Sequence, residues 1–456
     1  MKSPRSSAGF ADLGVPETLV AALARLDIIE PFPIQTATLP DSLAGRDVLG
    51  RGRTGSGKTL AFSLPLVTRL VGGTRRPRQA RSLVLVPTRE LANQVLAVVA
   101  PLARAAGLTS TVVFGGVGQN PQVKALAPGV DVLIACPGRL EDLIGQGHCD
   151  LSGVEVTVLD EADHMADLGF LPAVKRLLDR TPRNGQRMLF SATLDNGVDV
   201  LVKRYLQSPV THSVDPAVSP VSTMTHHVFT VSAADKPEVV RQLASGQERS
   251  LLFMRTKHTA KRLAKQLTAA GIPAVELHGN LSQGARERNL SAFTDGSTRV
   301  LVATDIAARG IHVDDVALVV HVDPPAEHKA YLHRSGRTAR AGAGGTVVTL
   351  STPDQAGEVR TLAKQAGIRP ATSSVRPGDA AITELTGPAA PHVEPVEAPV
   401  QQQQPRARAA RAPMAQPAQG GRSRGGGGGG RSSGPARTRA ELAARAGQPA
   451  GGRRSR

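Results

Sequence analysis

Short runs of aliphatic residues alternate along the chain with longer stretches whose apolar positions recur at helical spacing. Asp47–Leu49, Leu83–Val86, Thr111–Phe114, Val132–Ala135, Val156–Leu159 and Met188–Phe190 are short, largely apolar runs and are read as buried strands. Each intervening segment is long enough to cross back over a sheet, and Leu60 to Leu70 carries its apolar residues at helical spacing. A second series of strands is expected near Val228–Val231, Ser250–Met254, Ala274–Leu277, Val300–Ala303, Leu318–Val320 and Val347–Leu350. The alternation predicts an α/β chain with two parallel-sheet domains, each covered by helices on both faces. Between the two series the pattern breaks into Ser, Pro, Val and Thr. The expected boundaries are a first domain over 1–207, a linker over 208–225 and a second domain over 226–370.

Beyond Pro370 the periodicity ends, and 371–456 reads as a tail. It holds Gln401–Gln404, the run Gly425–Gly430 and no Phe, Tyr or Trp, so it lacks the apolar surface to offset chain entropy and is expected to be disordered. From Gln401 to Arg456 there are twelve arginines and one acid, Glu441, so most of the net charge of +17 over 456 residues lies there. That charge favours a polyanionic partner and would also suit an anionic membrane surface. No apolar run is long enough for a transmembrane helix and the N-terminus lacks a signal-peptide core, so a soluble, cytoplasmic protein is expected. Cys136 and Cys149 lack CxxC spacing, which argues against a zinc site or a disulfide framework.

In such sheets ligands gather at the carboxyl ends of the strands, and the chemically suggestive segments of the first domain all follow predicted strands. Gly52-Arg53-Thr54-Gly55-Ser56-Gly57-Lys58-Thr59 has the spacing of a phosphate-binding loop that opens a helix. Glycines let successive N–H groups converge on one anion, and the helix dipole adds to them. Lys58 would reach the β- and γ-phosphates, and Thr59 would place its hydroxyl on Mg²⁺. Asp160-Glu161-Ala162-Asp163 follows the strand that ends at Leu159. There Asp160 can hold Mg²⁺ and Glu161 can orient and deprotonate the water that attacks the γ-phosphate.

With these two segments in place, the chain resembles the DEAD-box ATP-dependent RNA helicases of helicase superfamily two over roughly residues 10 to 350. That resemblance implies two tandem RecA-like domains. Pro33-Ile34-Gln35 with upstream Phe10 looks like the family's adenine-reading segment, in which Gln35 bonds the base and Phe10 stacks on it, implying ATP. Gly52 stands where alanine is usual. The resemblance assigns RNA-backbone contacts to Pro87, Thr88, Arg89, Gly115, Gly116, Pro137, Gly138 and Arg139, with Cys136 in the place of the usual threonine. Ser191 and Thr193 resemble the motif that bonds the acidic segment, including Asp163, and couples the ATP site to strand separation. In the second domain Gly279, Gln283, Arg286 and Thr304 resemble further RNA contacts, and Asp305 a nucleotide contact. His312 replaces the usual aspartate. The segment His333 to Arg340 matches the last motif, which makes Arg337 and Arg340 arginine fingers and His333 an interface residue.

The function implied is RNA-stimulated ATP hydrolysis coupled to local unwinding of short duplexes or to RNA–protein remodelling, with ATP and Mg²⁺ as cofactors. RNA would be held mainly by its backbone, with nonspecific affinity from the tail and no membrane role. A DNA translocase and a nonhydrolysing RNA clamp are the competing readings. Protein partners and the physiological RNA are not specified by the sequence.

Overall fold

The computed structural model describes residues 9–52, 55–193, 196–214, 224–308, 316–338 and 344–394. Fourteen strands are assigned within them. In chain order they are β1 Val48–Arg51, β2 Ala80–Leu85, β3 Ser110–Val113, β4 Val130–Ala135, β5 Val156–Asp160, β6 Gln186–Ser191 and β7 Val210–Ser213, followed by β8 Met224–Thr230, β9 Ser250–Met254, β10 Ala274–Leu277, β11 Val300–Thr304, β12 Leu318–His321, β13 Gly345–Ser351 and β14 Ala371–Ser374. They form two seven-stranded sheets, ordered β3-β4-β2-β5-β6-β1-β7 and β10-β11-β9-β12-β13-β8-β14, with every strand pairing parallel. The second order is the first repeated seven strands later. These are tandem RecA-like α/β lobes.

The central strands are apolar on both faces because helices cover both. β2, β4 and β5 are buried along their whole length, and so is β9. Each sheet consequently separates two clusters. In the first lobe one is built around Phe62, Leu66, Val84 and Phe190, and the other around Leu83, Leu133, Leu159 and Leu201. The second lobe repeats the arrangement around Phe229, Leu252 and Val320 on one side and Phe253, Phe293 and Tyr331 on the other. No helix among the described residues is long and apolar enough to cross a membrane.

The predicted strands are all present, and two more were not expected. β7 lies inside the segment read as a linker and pairs with β1; residues 215–223 of that segment lie outside the described residues. β14 lies beyond Pro370 and pairs with β8. The helix Ala380–Thr386 follows it and buries Ile382 against the second lobe's core. The second lobe's fold therefore runs past residue 370, and the tail expected from 371 starts too early. Residues 395–456, where the arginine-rich part of that tail falls, lie outside the described residues.

Candidate functional site

The glycine-rich segment expected to bind phosphate leads from β1 into the helix Lys58–Leu70, with Gly57 as N-cap at φ 90. A Cβ on Gly57 would stand 2.5 Å from Gln35 Nε2 and 2.9 Å from Phe32 Cδ2, so only glycine lets the helix Pro33–Leu43 close against the loop. Gln35 is fully buried and ties the two together. Its Oε1 accepts the Phe32 N–H at 2.9 Å, and its Nε2 donates to the Gly57 carbonyl at 2.9 Å. Ser56 Oγ in the same loop is buried without a hydrogen-bond partner. Gly55 adopts φ 84. Thr59 is half-buried in the first turn of the helix, and Arg53 and Thr54 lie outside the described residues.

Lys58 points from this helix to the end of β5. Its Nζ donates to Glu161 Oε1 at 2.9 Å, and both side chains are largely buried. Burial alone would lower the Lys58 pKa, but Glu161, Asp160 and Asp163 raise it, so the amine stays charged. Glu161 has φ 52 and ψ 52, a left-handed conformation that costs a non-glycine residue about 1–2 kcal/mol. The turn aims its carboxylate back at Lys58. Burial pushes the Glu161 pKa up, but Lys58 outweighs it and Arg337 and His333 add to the effect, so the group remains ionised. On Asp160 the Lys58 charge is outweighed. This carboxylate is 2% exposed and accepts the Glu161 N–H at 3.0 Å, and burial together with the Glu161 charge pushes its pKa to about 7.

Asp163 is the polar hinge between β5 and β6. Its Oδ2 accepts both the Thr193 N–H and the Thr193 hydroxyl at 2.9 Å, its Oδ1 accepts the His164 N–H at 2.9 Å, and its own N–H reaches Ser191 Oγ at 3.2 Å. Ser191, Thr193 and Asp163 therefore form one network.

The second lobe faces this site with the helix His328–Ser335 and the turn that follows. His333 Nδ1 stands 3.9 Å from Asp167 Oδ2 of the first lobe. Arg337 is 9% exposed and lines a small cavity with Phe253, Asp305, Ala308, Ala330, His333 and Arg334. Arg334 grips Asp305 through two bonds, at 2.5 and 2.8 Å, and donates to the Asp323 carbonyl at 2.8 Å. Asp305 is thus already paired within its lobe. Arg340 lies outside the described residues, as does His312.

The residues expected to touch RNA divide into two groups. Gly116, Gly138 and Gly279 are exposed, with Thr88, Gly115, Arg139 and Thr304 half-buried beside them and Pro137 buried. Thr88 caps the helix Arg89–Ala105 by accepting the Leu91 N–H, and Pro87 is buried behind it. Arg139 donates to the Val117 carbonyl at 3.2 Å. Gln283 and Arg286 differ from expectation. Both are buried, and they face the first lobe: Arg286 Nε donates to Glu90 Oε1 at 2.7 Å, and Arg89 donates to Gln283 Oε1 at 3.3 Å. Arg286 also donates to the carbonyls of His278 and Ala307. These residues join the lobes and do not present their polar atoms to a ligand. Cys136 gives the helix Pro137–Gly145 no side-chain cap, and burial pushes its pKa to about 12, so it is a neutral thiol.

Phe10 requires a second correction. It is 3% exposed and packed in the first lobe's core with Leu23, Ile34 and Leu66, so its ring has no face for a base. Phe32 is 55% exposed and stands against Gly57. Glu90, Arg334 and Phe32 were missed by the sequence reading, although each lies inside or beside a quoted motif. What marks them is a partner distant in sequence.

A family model described as DEAD/DEAH box helicase matches residues 32–201, and one described as helicase conserved C-terminal domain matches 235–342. The chain is 40% identical over 371 residues to DEAD-box ATP-dependent RNA helicase 3A, chloroplastic, of Zea mays, covering 79% of this chain and 49% of that protein. It spans only about half to three-fifths of the plant relatives' length. To ATP-dependent RNA helicase RhlB of Escherichia fergusonii it is 38% identical over 387 residues, covering 83% of this chain and 92% of that protein. Among solved structures, Saccharomyces cerevisiae Dbp5 bound to RNA and ADP BeF3 superposes with a TM-score of 0.72 at 28% identity, covering 83% of this chain and 98% of that one.

Proposed function

We propose that this chain, which belongs to the DEAD-box helicase family, is an RNA-stimulated ATPase that remodels short RNA duplexes or RNA–protein complexes. The observation that carries the reading is the meeting of groups from both lobes at Glu161. Lys58 bonds its carboxylate from the first lobe, and the charges of Arg337 and His333 act on it from the second. A carboxylate kept ionised in a buried site can accept a hydrogen bond from the attacking water and so orient it. Lys58 and the loop amides would hold the phosphates, with Ser56 Oγ, now unpartnered, as a further donor. Arg337, with Arg340, would meet the charge that develops on the transferred phosphoryl group. Separating these arginines from Glu161 would disable hydrolysis, which makes closure of the lobes the switch.

The residues fit Mg²⁺. Asp160 is a buried carboxylate that accepts only the Glu161 N–H among the described residues, Thr59 stands in the first turn of the loop's helix, and no cluster of three or more acidic, His or Cys ligands among the described residues could hold a metal alone. That donor set suits an ion shared between one carboxylate, a hydroxyl and substrate phosphates. When bound, Mg²⁺ would neutralise charge on the β- and γ-phosphates.

Phe32, with its open ring beside the loop, would stack on the base in place of Phe10, and Gln35, bonded to the Phe32 N–H and the Gly57 carbonyl, would hold that ring against the loop. RNA would lie over the exposed strand-end turns at Gly116, Gly138 and Gly279, held through its backbone. The arginines of 401–456 would add sequence-independent, salt-sensitive affinity. Asp163, Ser191 and Thr193 couple the two functions, because a shift of β6 against β5 displaces the carboxylates.

The test is ATP hydrolysis by the full chain without nucleic acid, with single-stranded RNA and with matched single-stranded DNA at one salt concentration. Strong stimulation by RNA alone is expected. Equal stimulation by DNA, or no turnover under any condition, would overturn the reading.

A further inference from the structure

A row of lysines runs down one flank of the helix Lys257–Ala269, outside the cleft. Lys257, Lys261 and Lys265 are spaced four residues apart, which places them on one flank and spreads them over about 12 Å. All three are exposed, as is Arg262. The helix contains no Asp or Glu. The adjoining face packs Ala260, Ala264 and Leu267 into the core.

Thr268 fixes which way the row faces. It lies on the same flank, and its hydroxyl donates to the Ala274 carbonyl at 3.2 Å and accepts the Ala274 N–H at 3.3 Å. Ala274 begins β10, the edge strand of the second sheet. The lysines therefore border an open sheet edge. At its upper end the row joins the cleft, where Lys257 Nζ donates to Asn280 Oδ1 at 3.0 Å, next to Gly279. Among the described residues no carboxylate pairs with Lys261, Arg262 or Lys265, and the acid of β10, Glu276, is bonded to His278 at 3.1 Å.

The fold does not demand these charges. The equivalent helix of the first lobe, Arg89–Ala105, starts after Thr88 as this one starts after Thr256, each threonine capping its helix. Counting from the caps, Asn93 stands where Lys261 does and Ala97 where Lys265 does. A helix in this place is stable without lysines.

We infer that this flank is a track for RNA backbone that continues the cleft beyond Gly279 along the edge of the second lobe. The inference rests on the RNA-binding reading of the cleft. The track would neutralise phosphates without reading bases, so it would grip the flanking part of a long RNA and leave a cleft-length RNA untouched.

The experiment compares the full chain with its Lys261→Gln/Lys265→Gln variant by fluorescence anisotropy, using a long labelled RNA and a short one that spans only the cleft, across a salt series. Gln keeps helix propensity close to that of Lys, and both sites are exposed, so folding is preserved. For the long RNA the slope of log affinity against log salt should become shallower by about 1.4, two lost contacts at about 0.7 each. The wild type's advantage should then shrink about sevenfold over a fourfold rise in salt. Binding of the short RNA should be unchanged, and Lys261→Arg/Lys265→Arg should restore the slope. An unchanged slope with the long RNA, or an equal loss with the short one, would overturn the inference. Because the readout is binding, it stands apart from hydrolysis: a chain that failed to hydrolyse ATP with RNA would remove the proposed activity and leave the lysine result readable.

Discussion

Thr88 and Thr256 begin equivalent helices in the two lobes, each accepting a backbone N–H from three residues on, at 3.3 and 3.2 Å. Counting from these caps through the strand registers aligns the two sheets residue by residue. Leu85 pairs with Leu159 as Phe253 pairs with His321, so Asp160 and Glu161 correspond to Val322 and Asp323. By the same count Gly52 corresponds to Val231, Gly115-Gly116 to Gly279-Asn280, and Cys136 to Thr304. One frame thus presents two sets of strand ends. The first carries the glycine-rich loop and the buried acids Asp160 and Glu161. In the second Val322 stands in the place of Asp160, and Asp323 is spent on the Arg255 N–H at 2.9 Å and on Lys236 at 3.5 Å. What the second lobe turns toward the first is basic: the charges of Arg337 and His333 act on Glu161. A duplicated backbone puts loops in corresponding places, and on the proposed reading a few side chains decide that one copy binds the nucleotide and the other completes its site.

The sharpest break in this division of labour is Arg337→Ala. If the second lobe supplies the charge for phosphoryl transfer, turnover at saturating RNA should fall by about 10³-fold or more, with ATP affinity reduced far less. Single-turnover phosphate release and nucleotide titration separate the two, and a small loss of turnover would mean that the first lobe suffices.

Next in size is the buried pair that joins the lobes. Removing one partner of a buried ion pair costs about 3–5 kcal/mol where the other is left uncompensated. Glu90→Ala and Arg286→Ala should each raise the RNA concentration needed for half-maximal hydrolysis by well over tenfold. A double-mutant cycle should show strong coupling between them. Additive losses would mean that each side chain acts within its own lobe.

The smallest effect concerns His226 and His321, two buried histidines of the second lobe. His226 Nδ1 lies 2.9 Å from the Tyr331 hydroxyl and His321 Nδ1 lies 3.1 Å from Thr349 Oγ1. Burial pushes the His226 pKa down from its ordinary 6.5 to about 4, and burial also lowers His321, with Arg334 adding to it. Above pH 6.5 both states of the chain hold His226 neutral. Between 6.5 and 4 only the unfolded chain gains the proton, so stability falls with pH, by about 3 kcal/mol at most. Melting of the wild type and of His226→Gln across that window should show a steeper acid loss in the wild type. Parallel curves would remove His226 as the cause.

Much of this was legible because the central strands are apolar on both faces and the functional segments follow them directly. The two strands that escaped, β7 and β14, occupy equivalent outer edges, and their burial is alternating or absent. A sheet edge exposed to solvent leaves no apolar run to read. The site divides in the same way. Lys58, Asp160 and Glu161 were readable from local spacing, whereas the Arg286–Glu90 contact spans 196 positions. Phe10 was misread because an aromatic residue upstream of Gln35 fits core packing as well as base stacking, and burial decides between them.

The central claim is that nucleotide and RNA together hold the lobes closed with Arg337 at Glu161. The direct measurement is the distance between fluorescent probes placed on exposed sites of the two lobes, recorded with neither ligand, with each alone and with both. The account predicts that the short distance becomes dominant only when a nonhydrolysable ATP analogue and RNA are both present. A distance that shortens equally with RNA alone, or that does not respond to the pair, would contradict it.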